Sequence, residues 1–85
     1  MSRQRSMEKI LTSEYVSIGE LVRITGVRYS TLKFYTEEGM LPFEQEEEKL
    51  TRRFPREKAV SRIEEIRLLR EQGLSVPTIK ERLIE

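Results

Sequence analysis

Apolar residues recur at helical spacing in residues 17–39 and predict two short helices in tandem. The first helix has one apolar face, formed by Ile18, Leu21 and Val22. Ser17 and Glu20 are spaced to form a capping box at its start, and Gly26 ends it. The second helix directs three residues toward the core, namely Val27, Leu32 and Tyr35. Gly39 ends this helix, so the pattern predicts a helix-turn-helix.

Residues 43–54 break the helical pattern. They lie between Pro42 and Pro55 and contain no helically spaced apolar face. We interpret them as a wing, either a short β-hairpin or an ordered loop, in which Phe54 anchors the return strand. No Asn-Gly or Gly-Gly pair marks the tip, so the hairpin signal is weak.

Helical periodicity returns after Pro55 and predicts two more helices. Residues 56–72 carry an apolar stripe of Ala59, Val60, Ile63, Ile66 and Leu69. Gly73 ends this helix, and Ser75 is placed to cap the next one. The last helix repeats apolar residues at Val76, Ile79 and Leu83. The chain is therefore predicted to be mainly α, a winged helix-turn-helix of about four helices with a short β-hairpin wing.

Residues 1–16 are polar and basic, with only scattered apolar side chains. They fit either a loose arm or a short extra helix, and we divide the chain into an N-terminal arm (1–16) and the winged domain (17–85). The first residues lack the apolar segment of a secretory signal, and no apolar run is long enough to span a membrane. A cytoplasmic protein without a membrane partner is expected.

Composition excludes most catalytic chemistry. The 85 residues include no Cys, no His and no Asp, so a Cys/His zinc site, a disulfide and a His-assisted nucleophile are all impossible. A hydrophobic fraction of 36% in so short a chain leaves no room for both a core and a large substrate pocket. A binding module without metal or cofactor is favoured over an enzyme.

The net charge of +1 hides an uneven distribution of charges. Residues 44–48 hold four Glu and no cation, whereas residues 51–70 hold seven basic residues against three Glu. The acidic run fits a solvated wing tip, a segment repelled by phosphate, or a docking patch for a basic partner. The basic residues of the third helix, Arg62, Arg67 and Arg70, fit a solvated helix face with ion pairs. Arg52 and Arg53 are favoured as phosphate contacts.

Several motifs in a fixed order carry a family resemblance. They are Ile18-Gly19-Glu20-Leu21, Thr25-Gly26-Val27, the run from Thr31 to Pro42, Arg52-Arg53-Phe54, and the run from Ile66 to Ser75. Together they resemble the DNA-binding domain of the MerR family of bacterial transcription regulators over roughly residues 16–84. Three features depart from the family pattern: Arg28 stands where a small capping residue is usual, Ser30 replaces a basic residue, and the wing tip is acidic.

The second helix of the pair is the expected recognition helix, lying in the major groove of DNA. Its outward positions are Arg28, Tyr29, Ser30, Lys33 and Phe34. Tyr29 and Ser30 are placed to reach base edges, and Arg28 and Lys33 to reach phosphate or guanine. Ser30 also fits a simple helix-start residue. The predicted DNA-binding set is completed by Ser17, Arg52, Arg53 and Tyr35, the last of which the resemblance places against phosphate.

The function expected from the resemblance is sequence-specific binding of double-stranded DNA by a transcription regulator. The chain carries no long dimerisation helix and no effector domain, so no small-molecule effector is expected within it, and self-association on DNA or a homodimer is left open. Two alternatives remain: a small architectural DNA-binding factor of the excisionase or segregation type, and a protein-interaction module.

Overall fold

A computed structural model describes residues 5–45 and 51–84, within which the chain forms five helices and one small sheet. The elements in order are α1 (Met7–Thr12), β1 (Tyr15–Val16), α2 (Ile18–Thr25), α3 (Tyr29–Glu37), β2 (Phe54–Pro55), α4 (Arg56–Glu71) and α5 (Val76–Ile84). The predicted fold class is confirmed. The sequence predicts four helices, and the fifth is α1. Of the two alternatives for residues 1–16, the described part therefore contains the short extra helix.

The capping box predicted at the start of α2 is present. The Ser17 hydroxyl accepts from the Glu20 N–H at 3.2 Å, and the Glu20 carboxylate accepts from the Ser17 N–H at 2.9 Å. At the other end, Gly26 has φ 75°, and its N–H donates to the Val22 carbonyl at 2.8 Å. A left-handed residue costs little only at glycine, so this position sets the tight turn into α3.

The start and end of α3 follow from local signals. Arg28 takes the N-cap position without a capping hydrogen bond from its side chain, and the helix begins at Tyr29. After Glu37 the chain turns at Gly39, and the Met40 N–H donates back to the Tyr35 carbonyl at 2.9 Å. Met40 is fully buried, so its packing holds this end of α3 against the core.

The base of the wing is tied to the N-terminal part of the chain. β1 and β2 pair antiparallel, with Tyr15 opposite Pro55 and Val16 opposite Phe54. One step further from this sheet, the two arms of the wing meet where Glu44 and Arg53 exchange both backbone hydrogen bonds, at 2.7 and 2.9 Å. In the described residues, this bridge joins the two arms of the predicted wing. Of the acidic run 44–48, residues 46–48 lie outside the described residues.

The core is a single cluster to which every helix contributes. Its fully buried members include Ile10 from α1, Leu21 from α2 and Leu32 from α3. The larger α4 supplies Ala59, Ile63 and Ile66, and α5 supplies Ile79. Phe54 is 1% exposed, which confirms its predicted anchoring role. Because Ile10 and Val16 belong to this cluster, residues before position 17 pack with the winged domain. The domain boundary itself stays a prediction.

Three arginines of α4 bind backbone carbonyls of other segments. Arg56 donates to Ser13 at 2.8 Å, Arg62 to Met40 at 2.9 Å, and Arg67 to Thr25 at 3.1 Å. Thr25 is the last residue of α2, where helical carbonyls lack partners within the helix. Arg62 also lies 3.5 Å from Glu65, an i,i+3 ion pair. The sequence places Arg62 and Arg67 on a solvated helix face. In the structure they also link α4 to other segments through these hydrogen bonds.

Candidate nucleic-acid interface

The outward face of α3 carries the residues predicted for recognition. Arg28, Ser30 and Lys33 are exposed, Tyr29 is 54% exposed, and Phe34 is 46% exposed. Tyr29 and Lys33 lie one turn apart on one side of α3, Ser30 and Phe34 lie one turn apart on the neighbouring side, and Arg28 precedes the helix as its N-cap. Side chains of these types can contact phosphates, base edges and thymine methyl groups in a groove.

The two adjacent aromatic residues of α3 have different environments. The Tyr35 ring belongs to the core and is only 9% exposed, whereas the Phe34 ring lies on the surface. Their ring centroids are 6.1 Å apart at a tilt of 54°. The sequence predicts that Tyr35 faces the core, and its burial agrees with that. It lines a groove of about 660 Å³ between α3 and α4, together with the exposed Ser30 and Phe34 and next to Arg67 and Arg70.

The wing residue Arg52 is bound to the end of α3. Its Nη1 donates to Glu37 Oε1 at 2.9 Å, and its guanidinium lies 4.9 Å from the centre of the Phe43 ring. The hydrogen bond from Arg52 and its charge lower the pKa of the Glu37 carboxyl, to which Lys33 contributes less. The return arm of the wing is therefore held next to the end of α3, and Arg52 is already paired with a carboxylate.

Arg53 belongs to a second group at the base of the wing. Its guanidinium lies 5.4 Å from the centre of the Tyr15 ring. The Tyr15 hydroxyl donates to Glu44, and this hydrogen bond, reinforced by the charge of Glu44, raises the pKa of Tyr15. Arg53 is exposed, so its charge faces solvent, and the structure does not bring it into contact with α3.

Ser17 lies at a cleft of about 410 Å³ beside the start of α2. Tyr29 lines the same cleft, which makes it continuous with the outward face of α3. Two further cations border it, Arg5 and Arg23, and neither was in the predicted set. No signal in the sequence indicates Arg5, because its contacts are with residues 8 to 18 positions away. Arg23 was detectable as an outward residue of α2, since its neighbours Val22 and Ile24 pack against the core.

Arg5 and Glu20 form a bidentate ion pair at this cleft. Both nitrogen–oxygen distances are 2.7 Å, and the Glu20 side chain is only 16% exposed. The pKa of Glu20 is lowered to about 2, mainly because Arg5 donates to the carboxylate, with further help from Ser17. The carboxylate therefore stays charged throughout the physiological range.

The ion pair predicts a loss of stability in acid. A depressed pKa contributes stability above about pH 4.5, and this contribution is lost as the pH falls toward about 2. Glu20→Gln should be less stable than the parent by roughly 1–2 kcal/mol at neutral pH, allowing for solvent screening. Urea unfolding at several pH values should show this difference shrinking in acid. A difference that is constant down to about pH 2 contradicts the proposed linkage.

The part of the chain described by the structure offers neither a metal centre nor a membrane span. Within residues 5–45 and 51–84, no three His, Cys, Asp or Glu side chains are grouped so that they hold a metal ion. In the same residues no helix is both long and apolar enough to cross a bilayer.

Two tandem helices joined by a tight turn, followed by a wing and a supporting helix pair, define a winged helix-turn-helix domain. The family described as "MerR HTH family regulatory protein" matches residues 16–84. The chain therefore belongs to the MerR family of helix-turn-helix DNA-binding transcription regulators, which is a regulatory and not an enzymatic family. No curated protein and no solved structure matches the chain.

Proposed function

We propose that this protein binds double-stranded DNA sequence-specifically and acts as a bacterial, cytoplasmic transcription regulator. α3 lies in the major groove, and the wing lies along the adjacent backbone. The observation that supports this most directly is the exposure of Tyr29, Ser30 and Lys33 on α3 and of Arg28 at its N-cap, while Leu32 and Tyr35 of the same helix are buried. Exposed cationic and hydrogen-bonding side chains on a rigid helix suit base-edge readout.

The wing supplies the second half of the proposed interface. Arg52 is held beside the end of α3 by its ion pair with Glu37, and Arg53 is exposed at the wing base. With Arg28 and Lys33, these residues give four cations for phosphate contacts, of which Arg52 would be shared between phosphate and Glu37. Phosphate contacts fix the orientation of the protein on DNA, while the residues of α3 read the sequence.

Salt dependence tests the proposed function. Four phosphate contacts correspond to a slope of about −3.6 in a plot of log affinity against log salt, so affinity should fall roughly 100-fold between about 50 and 200 mM salt. The duplex is one recovered by selection from a random-sequence library, and binding is followed by fluorescence anisotropy. Circular dichroism at each salt concentration confirms that the fold is unchanged. A slope near zero, or a selection that recovers no common sequence, contradicts the proposal.

Footprinting on the selected duplex reports how the protein is arranged on DNA. A single two-fold symmetric site supports a dimeric regulator, because dimers bind two related half-sites about one helical turn apart. A ladder of direct repeats would instead support an architectural factor that assembles side by side.

A further inference from the structure

The N-terminal segment precedes the part of the chain that defines the family, yet it is built into the domain. The family match begins at residue 16. Ahead of it, Ile10 is fully buried in the core, and Arg5 makes hydrogen bonds with residues of α2 and of the segment just before it. Its guanidinium binds Glu20 through two bonds of 2.7 Å and the Ser13 hydroxyl at 2.9 Å, and its carbonyl accepts from Arg23 Nη1 at 2.6 Å. This segment is therefore fixed against the first helix of the helix-turn-helix.

The position of Glu20 explains why these contacts bear on DNA binding. Glu20 is the third residue of α2, and its carboxylate closes the capping box with Ser17. The cleft at this end of α2 also contains Arg23 and, on α3, Tyr29. In the proposed complex a DNA phosphate approaches this cleft, because Tyr29 belongs to both the cleft and the outward face of α3. An uncompensated carboxylate there would repel that phosphate.

Arg5 removes this repulsion without removing the cap. Its two parallel hydrogen bonds cancel the charge of Glu20, while one oxygen of the carboxylate still accepts from the Ser17 N–H. Arg5 is 41% exposed and Glu20 only 16%, so the cation covers the carboxylate on the solvent side. The backbone of Arg5 also holds the Arg23 side chain at the rim of the cleft.

We propose that Arg5 is a positioning residue for DNA binding. It neutralises Glu20 and orients Arg23, so that the cleft at the start of α2 accepts a backbone phosphate of double-stranded DNA. The N-terminal segment is thus a functional part of the DNA-binding unit. This inference rests on the proposed function, and the experiment separates the two: if the unaltered protein fails to bind the selected duplex, the proposed function fails, whereas the variants test Arg5 alone.

The central comparison is between two variants that each lose one positive charge from the N-terminal segment. Arg5→Ala should bind the selected duplex about five- to tenfold more weakly than the parent, because the charge of Glu20 is exposed to phosphate. Lys9→Ala is the matched control. Lys9 is exposed, and its hydrogen bonds with Ser6 and Ser13 use backbone atoms, so the loss of its side chain should change affinity by less than about twofold. Equal affinities of the two variants would overturn the proposal.

A second substitution distinguishes action through Glu20 from direct contact with DNA. In the double variant Arg5→Ala/Glu20→Gln, the amide oxygen can still accept from Ser17 and no charge is left unpaired. Its affinity should return to within about threefold of the parent. If the double variant binds as weakly as Arg5→Ala, Arg5 acts by contacting DNA or by supporting the fold, and the proposal is wrong.

The single variant Glu20→Gln keeps the test decisive if Arg5→Ala does not fold. It removes the carboxylate and leaves the positive charge of Arg5 uncompensated beside the approaching phosphate, so it should bind the duplex about two- to fivefold more tightly than the parent. Unchanged or weaker binding would overturn the proposal. Circular dichroism melting of every variant sets a temperature at which all of them are folded, and anisotropy is measured below it.

Discussion

A Lys33→Glu variant should bind the selected duplex roughly 50-fold or more weakly than the parent, with the fold intact. Lys33 lies in the middle of α3, between the exposed ring of Tyr29 one turn earlier and Glu37 one turn later. Reversing its charge replaces one phosphate attraction by a repulsion at the centre of the proposed contact surface. Because the side chain is exposed, no core packing is lost.

The effect of this substitution on stability should be small. Lys33 helps to lower the pKa of Glu37, its i+4 neighbour, and the reversal turns this attraction into a repulsion. Such pairs contribute about 0.2–0.5 kcal/mol on an exposed helix face. Urea unfolding should therefore show a change below about 1 kcal/mol. Anisotropy titration measures the loss of affinity in parallel.

Lys9→Glu is the matched control for Lys33→Glu. It makes the same change of two charge units on an exposed helical lysine, but in α1 and away from the outward face of α3. Its affinity should fall by no more than about threefold, the effect of a distant charge screened by salt. If both reversals weaken binding equally, the effect comes from overall charge, and α3 is not the contact surface.

Replacing Phe54 by Ala should cost about 3–5 kcal/mol of unfolding free energy, the largest change in stability that we expect. The ring is 1% exposed, and its backbone pairs with Val16 in the sheet. Removing the ring leaves a cavity beneath the base of the wing, where Arg53 and Glu44 form the bridge between its two arms. Since small domains have only about 5–15 kcal/mol in total, this variant should be close to unfolding.

Phe43→Ala is the control for Phe54→Ala. The two rings are neighbours with centroids 6.1 Å apart, but Phe43 is 37% exposed and lies under the guanidinium of Arg52. Its removal should cost about 1 kcal/mol, since part of the ring already contacts water. Urea unfolding followed by circular dichroism measures both variants. Equal losses would mean that burial of Phe54 does not anchor the wing.

Local signals made most of the helical architecture predictable. The capping box of Ser17 and Glu20, the glycine at position 26 and the apolar stripe of α4 each depend on residues within one or two turns, and the structure confirms them. The pairing of β1 with β2 joins residues 15 and 55, far apart in sequence, and no short-range pattern encodes it. The docking of α1 is not predictable for the same reason, because its three apolar residues are Met7, Ile10 and Leu11, and only Ile10 is buried, against core residues far along the chain.

The candidate interface was predictable where it follows helix geometry. The exposure of Ser30, Lys33 and Phe34 follows from the burial of Leu32 and Tyr35 on the other side of α3. Arg28 and Tyr29, one turn before Leu32, are exposed because the helix begins there. The partners of the charged residues were not predictable, because long side chains reach groups that only the tertiary fold brings near. Arg52 binds Glu37 across 15 positions, and Arg5 binds Glu20 across the same distance in sequence.

The three tyrosines occupy three separate regions of a protein that has no tryptophan. Tyr15 lies at the base of the wing, Tyr29 at the exposed start of α3, and Tyr35 in the core. Ultraviolet-excited emission of the protein therefore comes from one phenol in each region. Double variants in which two of the three tyrosines are replaced by phenylalanine each keep one phenol. Their tyrosine fluorescence would report separately on the wing, α3 or the core, without any attached dye.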